Sequence, residues 1–235
     1  MMEPQSGQYC YDYPRPAVSV NAVVFAMVES VMKVLLIRRE HDPFAGSWAL
    51  PGGFVDENEC LETAARRELA EETSLTNIFL EQLYSFGDPG RDPRGRTVTV
   101  AYMALIPEDE ITQVAHGDNA ADAQWLPVDQ LPKLAFDHDK IIRFALERLK
   151  GKVRYTTVAF HLLGEEFTFG QLRCVYEKIW QRDLDRRNFR KWIHNLDIIE
   201  ETGRQRCNGY RPAQLYRLKA GSTDRYEIIK SSVRR

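Results

Sequence analysis

Three glutamates are spaced so that their carboxylates lie on one side of a helix. Glu71 and Glu72 follow Glu68 by three and four positions, and residues at these separations are neighbours on a helix surface. Carboxylates this close repel one another. A magnesium ion would neutralise them, because it prefers oxygen ligands and bridges carboxylates to substrate phosphates. The spacing therefore predicts a metal site that handles a phosphorylated ligand, and Arg67 is expected to contact Glu71 four positions later.

The segment from Gly53 to Leu75 carries a longer pattern of fixed spacing, which is more specific than the acidic cluster alone. It resembles the signature of the Nudix family, G-x5-E-x7-R-E-U-x-E-E-x-G-U. The matching positions are Gly53, Glu59, Arg67, Glu68, Leu69, Glu71, Glu72 and Leu75. Ser74 replaces the last glycine of the signature and adopts a positive φ less readily, so we expect a local distortion beside an intact metal site. An acidic surface helix that matches by chance is the alternative.

The resemblance implies a chemistry for this segment. The ion is Mg²⁺, with Mn²⁺ as the alternative, and Arg67 orients one of the glutamates. The implied metal ligands are Glu59, Glu68, Glu71 and Glu72, of which the last three and Arg67 are the catalytic candidates. The ion would polarise a water that cleaves a diphosphate. Nudix enzymes often add a general base from a later loop, and the open candidates here are Glu108, Asp109, Glu110 and Asp118.

A loop rich in glycine, proline and arginine, Gly87–Gly95 (GDPGRDPRG), is a second candidate for ligand contact. It resembles a loop near the ligand in bacterial ADP-ribose pyrophosphatases and in NrtR-type Nudix-related transcriptional regulators. Arginine suits phosphate because its planar guanidinium donates two parallel hydrogen bonds. We therefore take Arg91 and Arg94, together with Gly53, as candidate ligand-binding residues. A plain solvated turn is the alternative.

Hydrophobic periodicity predicts the elements that position these residues. The predicted strands are Ala17–Ala26, Lys33–Arg38, Trp48–Leu50, Phe79–Phe86, Thr97–Leu105 and Trp125–Val128. Helices are predicted over Cys60–Glu72 and Asp137–Leu149, with Asp137 as the N-cap of the second. The resemblance implies an α+β protein in which residues 1–150 form a Nudix α/β/α sandwich with a mixed sheet.

Residues 151–235 show a different pattern and are predicted to form a winged helix-turn-helix domain. The predicted elements are helices at Thr156–Leu163, Phe169–Trp180 and Arg186–Leu196, then strands at Ile198–Glu200 and Gln214–Leu218. Thr168 and Asp185 are suited to cap the second and third helices. The segment Gly209–Leu218 (GYRPAQLYRL) resembles the wing end of the NrtR-type regulators.

The net charge of −2 divides unevenly along the chain. Residues 151–235 hold 18 Lys and Arg against 10 Asp and Glu, a balance of +8, whereas residues 1–150 have a balance of −10. A basic domain suits a polyanion such as double-stranded DNA. The candidate DNA-binding residues are Arg186, Arg187, Arg190, Lys191, Arg204, Arg206 and Arg211. The alternative is a basic appendage that stabilises a dimer of hydrolases.

Composition excludes several classes of protein. No apolar run approaches the roughly 18 residues of a membrane span, and the first residues lack a signal-peptide pattern. The 4 cysteines include no CxxC pair, which argues against a zinc site and a disulfide framework. We expect a cytoplasmic protein without membrane segments.

Two functions fit the sequence. One is a regulator that binds ADP-ribose or a related nucleotide in its Nudix domain and a palindromic DNA operator as a homodimer. The other is a magnesium-dependent ADP-ribose pyrophosphatase with an accessory second domain. Glu68, Glu71 and Glu72 keep hydrolysis open in either case.

Overall fold

The computed structural model describes residues 12–13, 15–113, 123–207 and 212–222. Its first part contains the expected strands and helices, with bounds within three residues of the prediction. The elements are β1 Ala17–Val28, β2 Val31–Arg38, β3 Trp48–Ala49, α1 Leu61–Thr73, β4 Phe79–Phe86, β5 Thr97–Ile106, β6 Ala123–Pro127 and α2 His138–Lys152. A short 3-10 helix at Glu108–Gln113 was not predicted.

The strands form a mixed sheet in the order β3-β2-β1-β5-β4, and β6 also pairs with β2. Strands β1 and β5 are parallel, whereas the other pairs are antiparallel. Successive side chains of a strand point to opposite faces. Val20 on β1 accordingly packs with Ala64 and Ala65 of α1, whereas Val23 packs with Ile141 of α2. The α/β/α sandwich with a mixed sheet is confirmed.

The second part of the chain is a winged helix with one more strand than predicted. Its elements are a 3-10 helix at Val158–Leu162, β7 Phe167–Thr168, α3 Phe169–Trp180, α4 Arg186–Leu196, β8 Ile199–Arg206 and β9 Ala213–Leu218. Among the described residues the small sheet has the order β7-β9-β8. Thr168 forms the expected cap of α3 in a capping box with Gln171, and Asp185 accepts a hydrogen bond from the Asn188 N–H at the start of α4.

One hydrophobic core runs through both parts. Phe160 and Leu162 of the winged helix belong to the same buried cluster as Val23 and Ile141. Helix α2 extends into the second part, where Trp180 Nε1 donates a hydrogen bond to the carbonyl of Lys150 (3.3 Å). The predicted domain boundary between residues 150 and 151 therefore falls within the last turn of α2. The division of the chain into two domains at this point stays a prediction.

Three local details differ from the expectation. Ser74 ends α1 without distortion in the left-handed conformation (φ 60°), and its N–H donates to Ala70 O. Asp137 occupies the predicted N-cap position of α2, but its side chain makes no capping hydrogen bond, because its carboxylate pairs with Arg91. Arg204 and Arg206 lie between the two strands that were predicted for this domain, but both belong to strand β8, since β8 continues through an irregularity between residues 201 and 205.

No helix in the described ranges is long and apolar enough to cross a membrane.

Candidate functional site

Helix α1 gathers three carboxylates around a single arginine. The Arg67 guanidinium lies 2.7 Å from Glu59 Oε1, 2.8 Å from Glu68 Oε1 and 3.3 Å from Glu71 Oε2. The predicted contact between Arg67 and Glu71 is confirmed. Because these contacts hold three acidic side chains around one cation, Arg67 fixes the orientation of their carboxylates.

Glu72 faces away from Arg67 and toward the turn before α1. Its Oε2 accepts a hydrogen bond from the Gly52 N–H at 2.7 Å. Burial raises the pKa of the Glu72 carboxyl to about 8, and the nearby Glu68 charge adds to the increase. Burial also raises the pKa of Glu68. In the part of the chain that is described, no group of three His, Cys, Asp or Glu side chains is arranged as a ready metal site.

Two adjacent glycines allow the acidic helix to approach the sheet. The segment 51–55 pairs with β1 through bonds such as Val20 N–H to Gly53 O (2.9 Å). A Cβ on Gly53 would lie 2.2 Å from Glu68 Oε1, and a Cβ on Gly52 would lie 2.1 Å from the Val20 carbonyl oxygen. Gly52 also has a φ of +143°. The position of Gly52 therefore requires glycine, whereas a side chain at Gly53 would displace the Glu68 carboxylate from its position.

A cleft lined by aromatic and arginine side chains lies beside this turn, and we call it the aromatic cleft. Its lining includes Asn21, Arg39, Phe54, Arg94, Phe136 and His138. The Arg94 guanidinium lies 4.9 Å from the Phe54 ring centroid, and that of Arg39 lies 4.9 Å from the Phe136 centroid. Phe54 remains 42% exposed. The cleft offers flat apolar faces and positive charge together.

The two arginines of the loop 87–95 occupy different environments. Arg91 is 5% exposed and makes a two-pronged ion pair with Asp137, with Nη2 to Oδ1 at 2.6 Å and Nε to Oδ2 at 3.1 Å. Its Nη1 donates to Thr99 Oγ1 at 2.6 Å. Arg94 pairs with Asp92 at 2.7 Å but stays partly exposed. Arg91 thus ties the loop to the start of α2, while Arg94 is the better placed of the two for a ligand. Direct ligand contact by either residue stays a prediction.

Three general-base candidates lie at the opposite end of β5 from the aromatic cleft. Glu108, Asp109 and Glu110 follow the C-terminal end of β5, whereas Thr99 near its other end lines the aromatic cleft. A strand rises about 3.3 Å per residue, which separates Thr99 from Ile106 by about 23 Å. Asp109 instead borders Gly164 of the winged helix. These three carboxylates are therefore distant from the aromatic cleft, and their role as a base stays a prediction; Asp118 lies outside the described residues.

Helix α4 presents cations on its exposed side. Phe189 and Ile193 are buried, which turns the opposite side of the helix outward. In the described ranges, Arg186, Arg187 and Lys191 are exposed and form no hydrogen bond or ion pair. The arrangement is the one that a helix needs in order to enter a DNA major groove.

Other predicted DNA-binding residues have partners within the domain. Arg190 donates to the Tyr216 hydroxyl at 2.9 Å and packs over the Phe169 ring at 5.0 Å. Arg204 pairs with Glu166 at 3.1 Å. Arg206 donates to Gln171 Oε1 at 3.3 Å, and Arg211 lies outside the described residues. The DNA-binding role of these four arginines stays a prediction.

Comparison with known proteins assigns the family. Residues 15–145 match the model of the NUDIX domain, and residues 159–218 match the model of the NrtR DNA-binding winged helix domain. The chain is 38% identical to the ADPR responsive transcriptional repressor NtrR of Acinetobacter baylyi over 88% of this chain and 84% of that protein. The chain belongs to the NrtR family.

Two further relatives bear on the NrtR family assignment. A crystal structure of Shewanella oneidensis NrtR complexed with a 27mer DNA matches with a TM-score of 0.77 and 38% identity, covering 89% of this chain and 97% of that one. An ADP-ribose pyrophosphatase of Methanocaldococcus jannaschii is 40% identical over 56% of this chain and 73% of that protein. The first likeness spans both domains of this NrtR family member, and the second is confined to about half of the chain.

The sequence prediction missed several residues of the aromatic cleft in this NrtR family member. Phe54 directly follows Gly53, and Phe136 precedes the predicted N-cap of α2. The only sequence signal for Phe54 is its position next to the glycine turn, and the only one for Phe136 is its position next to the predicted N-cap. Their proximity depends on the pairing of segment 51–55 with β1 and on the placement of α2, which no local pattern reports.

Proposed function

We propose that this protein is a transcriptional regulator that binds ADP-ribose in its Nudix domain and operator DNA through its winged helix. One observation carries the proposal. The aromatic cleft and the exposed cations of α4 are built on the same continuous hydrophobic core. The relative that matches across both domains is described as an ADPR responsive repressor, and the matching NrtR structure contains DNA.

The aromatic cleft has the chemistry that ADP-ribose requires. The exposed ring of Phe54 offers a flat apolar face on which a base can stack. The guanidinium of Arg94 is available to a diphosphate, and arginine binds phosphate oxygens through two parallel hydrogen bonds. Gly53 leaves room for the ligand and the box carboxylates to meet at one turn.

The box residues fit a divalent cation. Nudix hydrolases generally use divalent metal ions, and we assign Mg²⁺ here, with Mn²⁺ as a substitute. Burial raises the pKa values of Glu68 and Glu72, which means that the protein alone does not fully stabilise the negative charge of their ionised carboxylates. Glu71 is half exposed, and its 3.3 Å contact with Arg67 is the longest of the three, so it can turn toward an ion by giving up that contact. We assign Glu59 to the same site, where release from Arg67 would be required.

The winged helix is proposed to bind DNA as part of a homodimer. Arg186, Arg187 and Lys191 would face the major groove together. Arg204 and Arg206 would contact phosphates, which adds affinity for all sequences rather than specificity. Since a two-fold dimer matches a palindromic operator, we expect two α4 helices to occupy successive half-sites.

The test is operator binding by the full chain with and without ADP-ribose. Fluorescence anisotropy with the upstream DNA of its own operon should show binding that excess unrelated DNA does not abolish. ADP-ribose should release the operator, and adenosine with ribose should not. Competition by unrelated DNA at equal strength would contradict a regulatory role.

A second activity, hydrolysis of ADP-ribose to AMP and ribose 5-phosphate, is favoured by the retained Glu68, Glu71 and Glu72. A bound divalent cation would polarise the attacking water and withdraw charge from the diphosphate. Glu72→Gln should abolish AMP release measured by chromatography, while Arg187→Ala on α4 should leave it unchanged. No AMP from the wild type at millimolar magnesium would show that the box serves binding alone.

A further inference from the structure

His138 occupies a buried position at the junction of the aromatic cleft and helix α2. It is the first residue of α2, it lines the cleft, and it is 4% exposed. Its Nδ1 accepts a hydrogen bond from the Leu50 N–H at 2.9 Å. Leu50 directly precedes the turn that carries Gly52 and Gly53, so the imidazole connects this turn to α2.

The bond from Leu50 fixes the proton on the opposite nitrogen. A neutral imidazole has one N–H donor and one acceptor, and Nδ1 is the acceptor here because it receives the Leu50 N–H. Burial lowers the pKa of His138 to about 3, so the ring stays neutral at physiological pH. The ring therefore presents Nε2–H, a hydrogen-bond donor that does not change between pH 5 and 8.

The Nε2–H group has no hydrogen-bond partner among the described residues, neither a side chain nor a backbone group. The described side-chain nitrogens and oxygens that are sealed from solvent without a partner are the indole nitrogens of Trp125 and Trp192. Because Nε2 is neither bonded nor sealed, the small exposed part of His138 opens into the cleft that it lines.

We propose that His138 is a specificity-determining residue whose Nε2–H donates a hydrogen bond to an acceptor atom of the nucleotide bound in the aromatic cleft. The inference rests on the proposed binding of ADP-ribose and deepens it. A donor that a bound ligand seals from water without a partner is unfavourable, so a ligand that places an acceptor at this point is preferred over one that places a donor or an apolar group there. His138 thus selects both the ligand and its orientation.

Two substitutions separate the two ends of the ring. In His138→Asn, the amide oxygen lies close to the position of Nδ1 and can still accept the Leu50 N–H, but nothing reaches the position of Nε2. In His138→Gln, the amide nitrogen reaches the position of Nε2, whereas the acceptor for Leu50 is lost. The first variant removes the proposed ligand contact, and the second removes the structural bond.

The experiment measures ADP-ribose binding by calorimetry and ligand-free thermal unfolding, both on the full chain. We expect His138→Asn to unfold near the wild-type temperature but to bind roughly tenfold more weakly. His138→Gln should unfold at a lower temperature yet bind more tightly than His138→Asn. This inverse order of stability and affinity is not expected of a residue with a purely structural role.

Two results would overturn the inference, and they are distinguishable. Wild-type affinity in His138→Asn, with weakened binding in His138→Gln, would show that His138 only supports the Leu50 turn. The proposed function would survive that result. If the wild type itself gave no binding signal with ADP-ribose, the proposed function would fail, and the role of His138 would fail with it.

Discussion

Replacing Glu72 with glutamine should stabilise the protein at alkaline pH when divalent cations are absent. Burial raises the pKa of this carboxyl from 4.5 to about 8, and each pKa unit corresponds to about 1.4 kcal/mol. Ionised Glu72 therefore lowers the free energy of unfolding by up to about 5 kcal/mol relative to the neutral form. Glutamine has the same shape, carries no charge, and can still accept the Gly52 N–H.

The direction of the pH dependence follows from the proton that Glu72 retains on folding. Between pH 4.5 and about 8 the folded state holds this proton, whereas the unfolded state loses it. The stability linked to Glu72 is fully present below pH 4.5, declines as the pH rises, and is lost above about pH 8. The Glu72→Gln variant lacks this decline, so the two proteins should diverge from pH 5 to about pH 8 and stay apart at higher pH.

Urea unfolding in EDTA at several pH values between 5 and 9 would measure the difference. With an m value of about 2–3 kcal/mol/M, the midpoints should differ by up to about 2 M at pH 9. Glu71→Gln is the matched control, because the Glu71 side chain is 51% exposed. Magnesium should stabilise the wild type more than Glu72→Gln, since an ion that binds the folded state raises its stability. Parallel pH profiles for the wild type and Glu72→Gln would refute the reasoning.

Three further outcomes are expected from the ion pairs and the surface of α4. Arg91→Ala should lower the free energy of unfolding by about 3 kcal/mol in urea titrations, because it leaves Asp137 largely buried without its partner. Arg187→Ala should weaken operator binding by about 1–3 kcal/mol in anisotropy titrations, with little loss of binding to unrelated DNA. Arg204→Ala should weaken binding to operator and unrelated DNA alike and reduce the salt dependence of both titrations.

The parts of this protein that follow local rules could be predicted from its sequence. The acidic face of α1 depends on separations of three and four residues, and the caps at Thr168 and Asp185 depend on single side chains next to apolar runs. The aromatic cleft depends on residues far apart in sequence. Phe54 and Phe136 line the same cleft because segment 51–55 pairs with β1 while α2 packs on the sheet, and neither packing choice has a local signature.

The same distinction explains why Arg91 is harder to assign than Arg67. The three glutamates that accept hydrogen bonds from Arg67 lie within eight residues of it on the box segment, so spacing alone indicates them. Arg91 is paired with Asp137, 46 residues away. The sequence of the loop alone gives no reason to assign Arg91 a different role from Arg94. Only the fold shows that one loop arginine holds the start of α2 and the other lies on Phe54.

Helix α2 offers a direct physical link between the two proposed binding sites. It begins at His138 in the aromatic cleft and ends at Lys152, whose ammonium pairs with Glu81 of β4. Lys150 near the same end contacts Trp180 of α3. Coupling between ligand and DNA requires that each binds one arrangement of the protein more tightly than another, and the effect is reciprocal. A shift of α2 by ligand contacts at its first turn would change its packing against α3 within the shared core. Variants that weaken ADP-ribose binding at His138 should therefore require more ADP-ribose to release DNA, without altering the affinity of the free protein for its operator.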